Sequence, residues 1–317
     1  MPDPLQFVAA RMCGLVNLDK PPGMTSRQAV DIVKRLVYPA KTGHAGTLDP
    51  LATGVLAICV GSATRLISYV QRQPKRYRAT FLLGRASPTE DVEGEVTELD
   101  HPPVPTLEQV TAAAGALVGR IEQRPPAYSA LKVGGRRAYA LARKGQPVEL
   151  KPRTVTVYRV EVLAYEYPEL RLAIECGGGT YVRSLGRDLA ESLGTSAVMS
   201  ELLRTSIGEF RIEEAIDPGQ LTSQNWTDHL LPPLAAVGRL PRVELSPDEI
   251  AKIRNGCAIP VKGQKGGTAS QLTGARTVLG TGAGPFAGVD AAGRLVAVLT
   301  PRGRGLLGPL RNLPAEE

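Results

Sequence analysis

Leu170–Gly194 reads LRLAIECGGGTYVRSLGRDLAESLG, and its two halves obey different periods. Leu170, Leu172, Ile174 and Cys176 alternate with more polar neighbours at a period of two, which makes a half-buried strand. Gly177-Gly178-Gly179 ends it, and Thr180 opens a helix in which Val182, Leu185, Leu189 and Leu193 form one apolar stripe. Gly194 closes that helix as a C-terminal glycine. Working outward, Gly14 to Asn17, Tyr77 to Leu83 and the β-branched run Thr154 to Tyr165 read as further strands. Thr25 or Ser26 caps a helix running through Arg35, with Ala29, Ile32, Val33 and Leu36 on one face. Thr106-x-x-Gln109 is a capping box for another, bearing Val110, Ala113, Ala114 and Leu117. Strands and amphipathic helices without regular βαβ spacing favour an α+β fold over a doubly wound sheet.

The chain has 317 residues, enough for one large domain and one small one. Pro232-Pro233 and Pro241 read as a linker, dividing a domain of residues 1–240 from a small β-rich one of 241–317 that includes a polar, Gly-rich loop between Lys262 and Gly284. Hydrophobic residues at 43% and charged ones at 22% exclude wholesale disorder. No apolar run approaches a membrane span, and the first residues lack the layout of a signal peptide. Four scattered cysteines and three histidines suggest neither a disulfide framework nor a metal site, so we expect no cofactor and a cytoplasmic protein with reduced thiols.

Net charge is +7, but its placement says more than its sum. Arg120 to Arg159 holds ten basic residues against Glu122 and Glu149, whereas Ser87 to Asp100 carries six acids. Such segregation is the footprint of phosphate contacts, though a solvated basic surface gives the same pattern.

The stretch Gly43-His44-Ala45-Gly46-Thr47-Leu48-Asp49-Pro50-Leu51-Ala52-Thr53-Gly54 is a shaped loop of the kind that places function. Taken singly, Asp49 is more readily an Asx-turn ahead of a helix, and His44 a loop hydrogen-bonder. Tyr77 stands at a strand start, able to stack on a base or to fill half a core position. Arg183 falls in the first turn of its helix, where a cation opposes the helix dipole and wants an anionic partner elsewhere.

Taken together, these stretches carry more weight. In chain order, Lys20-Pro21-x-Gly23-x-Thr25-Ser26, Gly43-His44-x-Gly46-x-Leu48-Asp49-Pro50, Lys75-x-Tyr77, Arg124-Pro125-Pro126-x-Tyr128-Ser129-Ala130-x-Lys132 with Tyr139 and Arg143, and Gly179-Thr180-Tyr181-x-Arg183 with Asp188 resemble the motifs of the TruB-type pseudouridine synthases. The resemblance covers roughly Gly14 to Phe210 and, more loosely, Val243 to Leu313, which is similar to that family's small RNA-binding PUA domain. It implies a mixed, largely antiparallel central sheet flanked by helices and loops, and isomerisation of the uridine at position 55 in the T-loop of tRNA. It puts the family carboxylate on Asp49, the active-site tyrosine on Tyr77 and the carboxylate's arginine on Arg183. Tyr181 and Leu202 take pocket positions, His44 contacts substrate, and Lys20, Tyr128, Lys132, Arg136, Arg137 and Arg143 become further RNA-binding residues.

The chain departs from the family pattern at Leu203-Arg204, where a basic pair is usual, and at Gly177-Gly178, where Ser-Lys is usual; each departure implies a lost phosphate contact. The implied partner is the T-arm of tRNA, with no metal, membrane or obligate protein partner, and a monomer is expected. Two other readings stand beside this one: an RNA-binding or RNA-folding module with an incidental pocket, and a guide-RNA-dependent relative. Against the latter, the chain ends without a long Lys-rich tail.

Overall fold

The computed structural model describes residues 12–314, apart from 130, 134, 143–149, 261–283 and 304. Arg143 and, but for Gly284, the loop read from Lys262 therefore lie outside the described residues. In chain order the first half comprises β1 (Cys13–Lys20), α1 (Ser26–Val37), β2 (Thr42–His44), β3 (Thr53–Gly61), α2 (Ile67–Arg72), β4 (Lys75–Leu83), β5 (Arg85–Ala86), β6 (Thr97–Glu98), α3 (Leu107–Ala116) and β7 (Gly119–Gln123). Next come β8 (Lys132–Val133), β9 (Arg136–Arg137), α4 (Ala138–Ala142), β10 (Arg153–Glu166), β11 (Glu169–Cys176), α5 (Val182–Ser192), β12 (Ala197–Ile207), β13 (Phe210–Arg211) and β14 (Leu230–Leu231). The remainder is β15 (Arg242–Glu244), α6 (Pro247–Arg254), β16 (Ile259–Pro260), β17 (Phe286–Val289), β18 (Leu295–Pro301) and β19 (Leu306–Asn312).

One ten-stranded sheet dominates, in the order β14-β1-β3-β12-β4-β11-β10-β7, with β2 beside β3 and β13 beside β12. Every pairing in it is antiparallel except β12 with β3, so the sheet is mixed and the fold α+β. A second sheet, β15-β17-β18-β19-β16, forms near the C-terminus.

Local chemistry explains the helices that matter for the site. Thr25 caps α1 and Thr106 caps α3, each in a reciprocal capping box that satisfies orphan donors of the first turn. Thr180 does not cap α5: Tyr181 is the N-cap residue, and it offers no side-chain cap bond. Instead, the fully buried amide of Gln123 on β7 accepts from Tyr181 N at 2.9 Å and donates to Tyr181 O at 3.0 Å. The stripe of α5, Val182, Leu185 and Leu189, packs on Tyr77, Ala79 and Phe81 of β4 in one apolar cluster. The Pro232–Pro241 stretch is no extended linker, because Pro233–Val237 forms a 3-10 turn whose Ala236 and Val237 are buried.

Candidate functional site

Two turns build the loop that presents Asp49. Lys20, at the end of β1, is fully buried, and its ammonium donates to the carbonyls of Pro21 (2.9 Å), Met24 (2.7 Å) and Pro50 (3.2 Å). Ser26, in the first turn of α1, donates from Oγ to Leu48 O at 2.9 Å and accepts from Leu48 N at 2.8 Å. Gly23 N adds a bond to Pro50 O. The Lys20–Ser26 and Gly43–Gly54 motifs are thus one structural unit, the first clamping the second. No helix follows Asp49; the chain enters β3 at Thr53, so the Asx-turn reading is set aside.

Helix α5 brings Arg183 to this loop. The guanidinium is 6% exposed and pairs through Nη2 with Asp49 Oδ2 at 3.0 Å and through Nη1 with Asp91 Oδ2 at 3.1 Å. It also donates to the carbonyls of Thr89 (2.6 Å) and Tyr128 (3.0 Å). A solvated Arg183 is therefore excluded. Asp91 is as buried as the arginine, whereas the Asp49 side chain keeps 39% exposure and so stays open to a reactant. Two carboxylates thus share one buried guanidinium.

Asp49, Tyr77, Tyr181, Arg183 and Leu202 line a single cavity of about 810 Å³. Sheet register sets its floor, since Tyr77 on β4 stands directly across from Arg204 on β12, with Ala79 across from Leu202. Burial pushes the Tyr77 phenol up from its usual range, so it carries its proton at neutral pH. The Arg153 guanidinium, from β10, lies 4.8 Å from the centroid of the Tyr181 ring and bonds to Gly179 O. Gly177, Gly178 and Gly179 form bare wall; a Cβ on Gly178 would stand 2.5 Å from Gln71 O.

Other expected residues fall differently. Lys20 binds no substrate, because its donors are spent on three carbonyls and it has no exposed surface. His44 ends β2 outside the cavity lining; its Nδ1 is buried without a partner, and burial with the nearby Arg204 lowers its pKa and keeps it neutral. Tyr128 contributes its carbonyl to Arg183. Lys132 and Arg136–Arg137 lie on the paired strands β8 and β9. Arg204 is 2% exposed, so this position holds no phosphate contact.

Sequence reasoning missed Asp91, Glu90, Arg187 and Arg153. The signal for the first three was present: adjacent acids in an acidic run, and arginines four apart on one helix face. Asp91 takes Arg183, and Glu90 takes Arg187. Among the described residues, no three His, Cys, Asp or Glu side chains gather into a metal-binding group, and no helix is long and apolar enough to cross a membrane.

This geometry has relatives. Residues 34–182 match the model of the TruB family pseudouridylate synthase N-terminal domain. The tRNA pseudouridine synthase B of Dehalococcoides mccartyi is 43% identical over 252 residues, covering 78% of this chain and 84% of its own. That of Arthrobacter sp. is 40% identical over 299 residues, covering 92% and 94%. Among solved structures, a chain of an H/ACA RNP bound to a substrate RNA containing 2'-deoxyuridine shares the fold at a TM-score of 0.69 and 24% identity, over 98% of this chain and 87% of that one. A Cbf5-Nop10-Gar1 complex gives 0.69 at 26% identity, over 99% and 87%. The motif order, the shared cavity and relatives of this identity over most of the chain have one explanation: the chain belongs to the TruB family of pseudouridylate synthases.

Proposed function

We propose that the protein converts one uridine of tRNA, that at position 55 in the T-loop, into pseudouridine, acting alone and without a guide RNA. The observation that carries this reading is an accessible Asp49 carboxylate held by the buried Arg183 in a cavity walled by Tyr77 and Tyr181. The reaction breaks the C1′–N1 bond, turns the base and joins C1′ to C5, while a proton leaves C5 and another arrives at N1. Asp49 is the group able to start it, by adding to the sugar or the base or by taking a proton from the sugar. Arg183 pairs with that carboxylate and aims it. Tyr77 and Tyr181 offer ring faces for an extruded base, since a uridine stacked in a folded RNA must leave its stack to react. The basic segment of β7 to β10 and the C-terminal region, residues 241–317, supply the RNA grip in this reading.

Mapping of uridines in a transcript tRNA, with purified protein and no added RNA, tests the proposal. Wild type is expected to convert a single T-loop uridine. Asp49→Asn should lose at least about 10³-fold in rate while binding tRNA within a few-fold of wild type. Conversion by Asp49→Asn, a requirement for a second RNA, or a wild type that binds without converting would each overturn it. Charge reversal at Arg136 and Arg137 should weaken binding and flatten its salt dependence, read from affinity at several salt concentrations.

A further inference from the structure

Arg204 is the largest fully buried side chain among the described residues, and it is a cation without a counterion. β12 runs between β3 and β4, and register puts Arg204 beside Gly54 on one strand and Tyr77 on the other. Gly54 has φ 96°, and any Cβ there would collide with the Arg204 carbonyl, so β3 passes too close for another residue. The guanidinium donates from Nε to Val55 O at 2.7 Å and from Nη2 to Gly46 O at 3.0 Å, and it reaches the Tyr77 hydroxyl.

Carbonyls satisfy its donors but do not neutralise its charge. Among the described residues, no carboxylate forms an ion pair with Arg204. The acids that face it are the Tyr77 phenol and the Cys176 thiol of β11, both pushed up by burial and both neutral at pH 7. Its remaining titratable neighbours are Lys20 on β1, His44 on β2 and Lys75 on β4, of which the two lysines are buried. A buried charge in such surroundings costs stability. Because Arg204 lines the cavity, an anion formed there would offset the cost.

The reaction makes one. When the C1′–N1 bond breaks, its electron pair stays with the departing ring and spreads over N1, O2 and O4. The charge disappears once C5 has joined C1′, the C5 proton has left and N1 has been protonated. We propose that Arg204, acting through the Tyr77 hydroxyl, supplies the fixed positive charge that stabilises the detached uracil anion. This inference rests on the function proposed above and adds a role for the sheet side of the cavity. On the helix side Asp49 and Asp91 take Arg183, whereas Arg204 on the sheet side has no ion pair among the described residues, so fixed positive charge stands ready there for negative charge developing on the base. In this proposal the guanidinium, directly across from Tyr77 in the sheet, faces the phenol oxygen and leaves the phenol proton to face the ring. Arg204 is thus a positioning residue, and Tyr77 is the group that touches the base.

Single-turnover rates on transcript tRNA, measured beside tRNA affinity and thermal unfolding, test the idea in the full-length protein. Arg204→Met should lower the chemical rate about 100-fold, the scale of a lost preorganised donor, with affinity changed less than about threefold. In a Tyr77→Phe background the same substitution should cost less than about fivefold, since its route to the ring is gone. Arg204→Lys keeps the charge and guards against a Met variant that fails to fold. It should recover part of the rate and acquire an alkaline limb, because a buried ammonium loses its proton where a guanidinium does not. Full additivity with Tyr77→Phe, a folded Arg204→Met with wild-type rate, or an Arg204→Lys profile identical to wild type would each sink the proposal. A wild type that isomerises no uridine sinks the proposed function instead, so the two failures are distinguishable.

Discussion

Lys20 donates its ammonium to three carbonyls, and one of them belongs to the residue after Asp49. Burial pulls its pKa down from 10.5 to about 8, with Asp49 opposing the shift. Lys20→Met would leave Pro21, Met24 and Pro50 without that donor and loosen the loop that carries Asp49; the expected loss is about 3 kcal/mol in urea unfolding at pH 7. The pH dependence has a definite sign. Between about 8 and 10.5 the unfolded chain holds the Lys20 proton and the folded chain does not, so wild-type stability rises with pH relative to Lys20→Met. The gap between the two should widen across that window, and a gap that narrows would show that the ammonium is not desolvated. Asp49, Tyr77 and Arg183, which the family resemblance singled out, come together in one cavity, although each taken singly had an ordinary structural reading. Lys20 was misread as an RNA contact, and Arg204 passed unnoticed as a functional residue, because a basic residue in sequence carries no mark of burial, which here follows from β1 and β12 lying inside the sheet.

At the scale of elements, the proposed chemistry depends on where α5 sits, since Arg183 rides in its first turn. Three devices locate it. Gln123 holds the N-cap backbone, Glu90 and Asp91 take Arg187 and Arg183 one turn apart, and Gly186 lets the Phe81 ring of β4 press against the helix backbone. A Cβ on Gly186 would overlap the Phe81 ring, so Gly186→Ala must shift either ring or helix. We expect it to cost about 1–3 kcal/mol of stability and at least tenfold in turnover, with tRNA affinity nearly unchanged. Phe81→Leu in the same chain should restore much of both by making room, as thermal unfolding and single-turnover rates would show. Loss of turnover without rescue would place the effect elsewhere. The apolar stripe of α5 was readable from period alone, as was its closing glycine. Its docking was not, because Gly186 becomes meaningful only when register places Phe81 beneath it, and register is a property of strands far apart in sequence.

Across the whole molecule, the two sheets share one apolar cluster. Leu15, Val55, Leu66 and Phe210 of the large sheet and its flanks meet Ala236 and Val237 of the connecting turn and Ala287, Leu295, Val298 and Leu313 of the C-terminal part. Gln73, two residues before the Lys75-x-Tyr77 strand begins, donates to Ala236 O at 3.0 Å and so ties the strand that carries Tyr77 to the same turn. Prolines at 232, 233 and 241 suggested a linker because proline punctuates chains in either case; only packing distinguishes a spacer from a buried turn. The shared cluster implies that the C-terminal sheet supports the large one as well as extending the surface. The single tryptophan, Trp226, is buried against β1, β3 and α1, away from that cluster, and so reports on the large sheet alone. In the full chain, its fluorescence and far-UV circular dichroism should change together in urea as one transition. A chain ending at Arg239 exposes the faces of Leu15, Val55 and Leu66 that the removed residues covered, at a cost of at least about 3 kcal/mol. Its Trp226 transition should therefore move to clearly lower urea, although no atom near the tryptophan has been removed. An unchanged midpoint would mean that the two sheets are independently stable and that the cluster joins them without cooperativity.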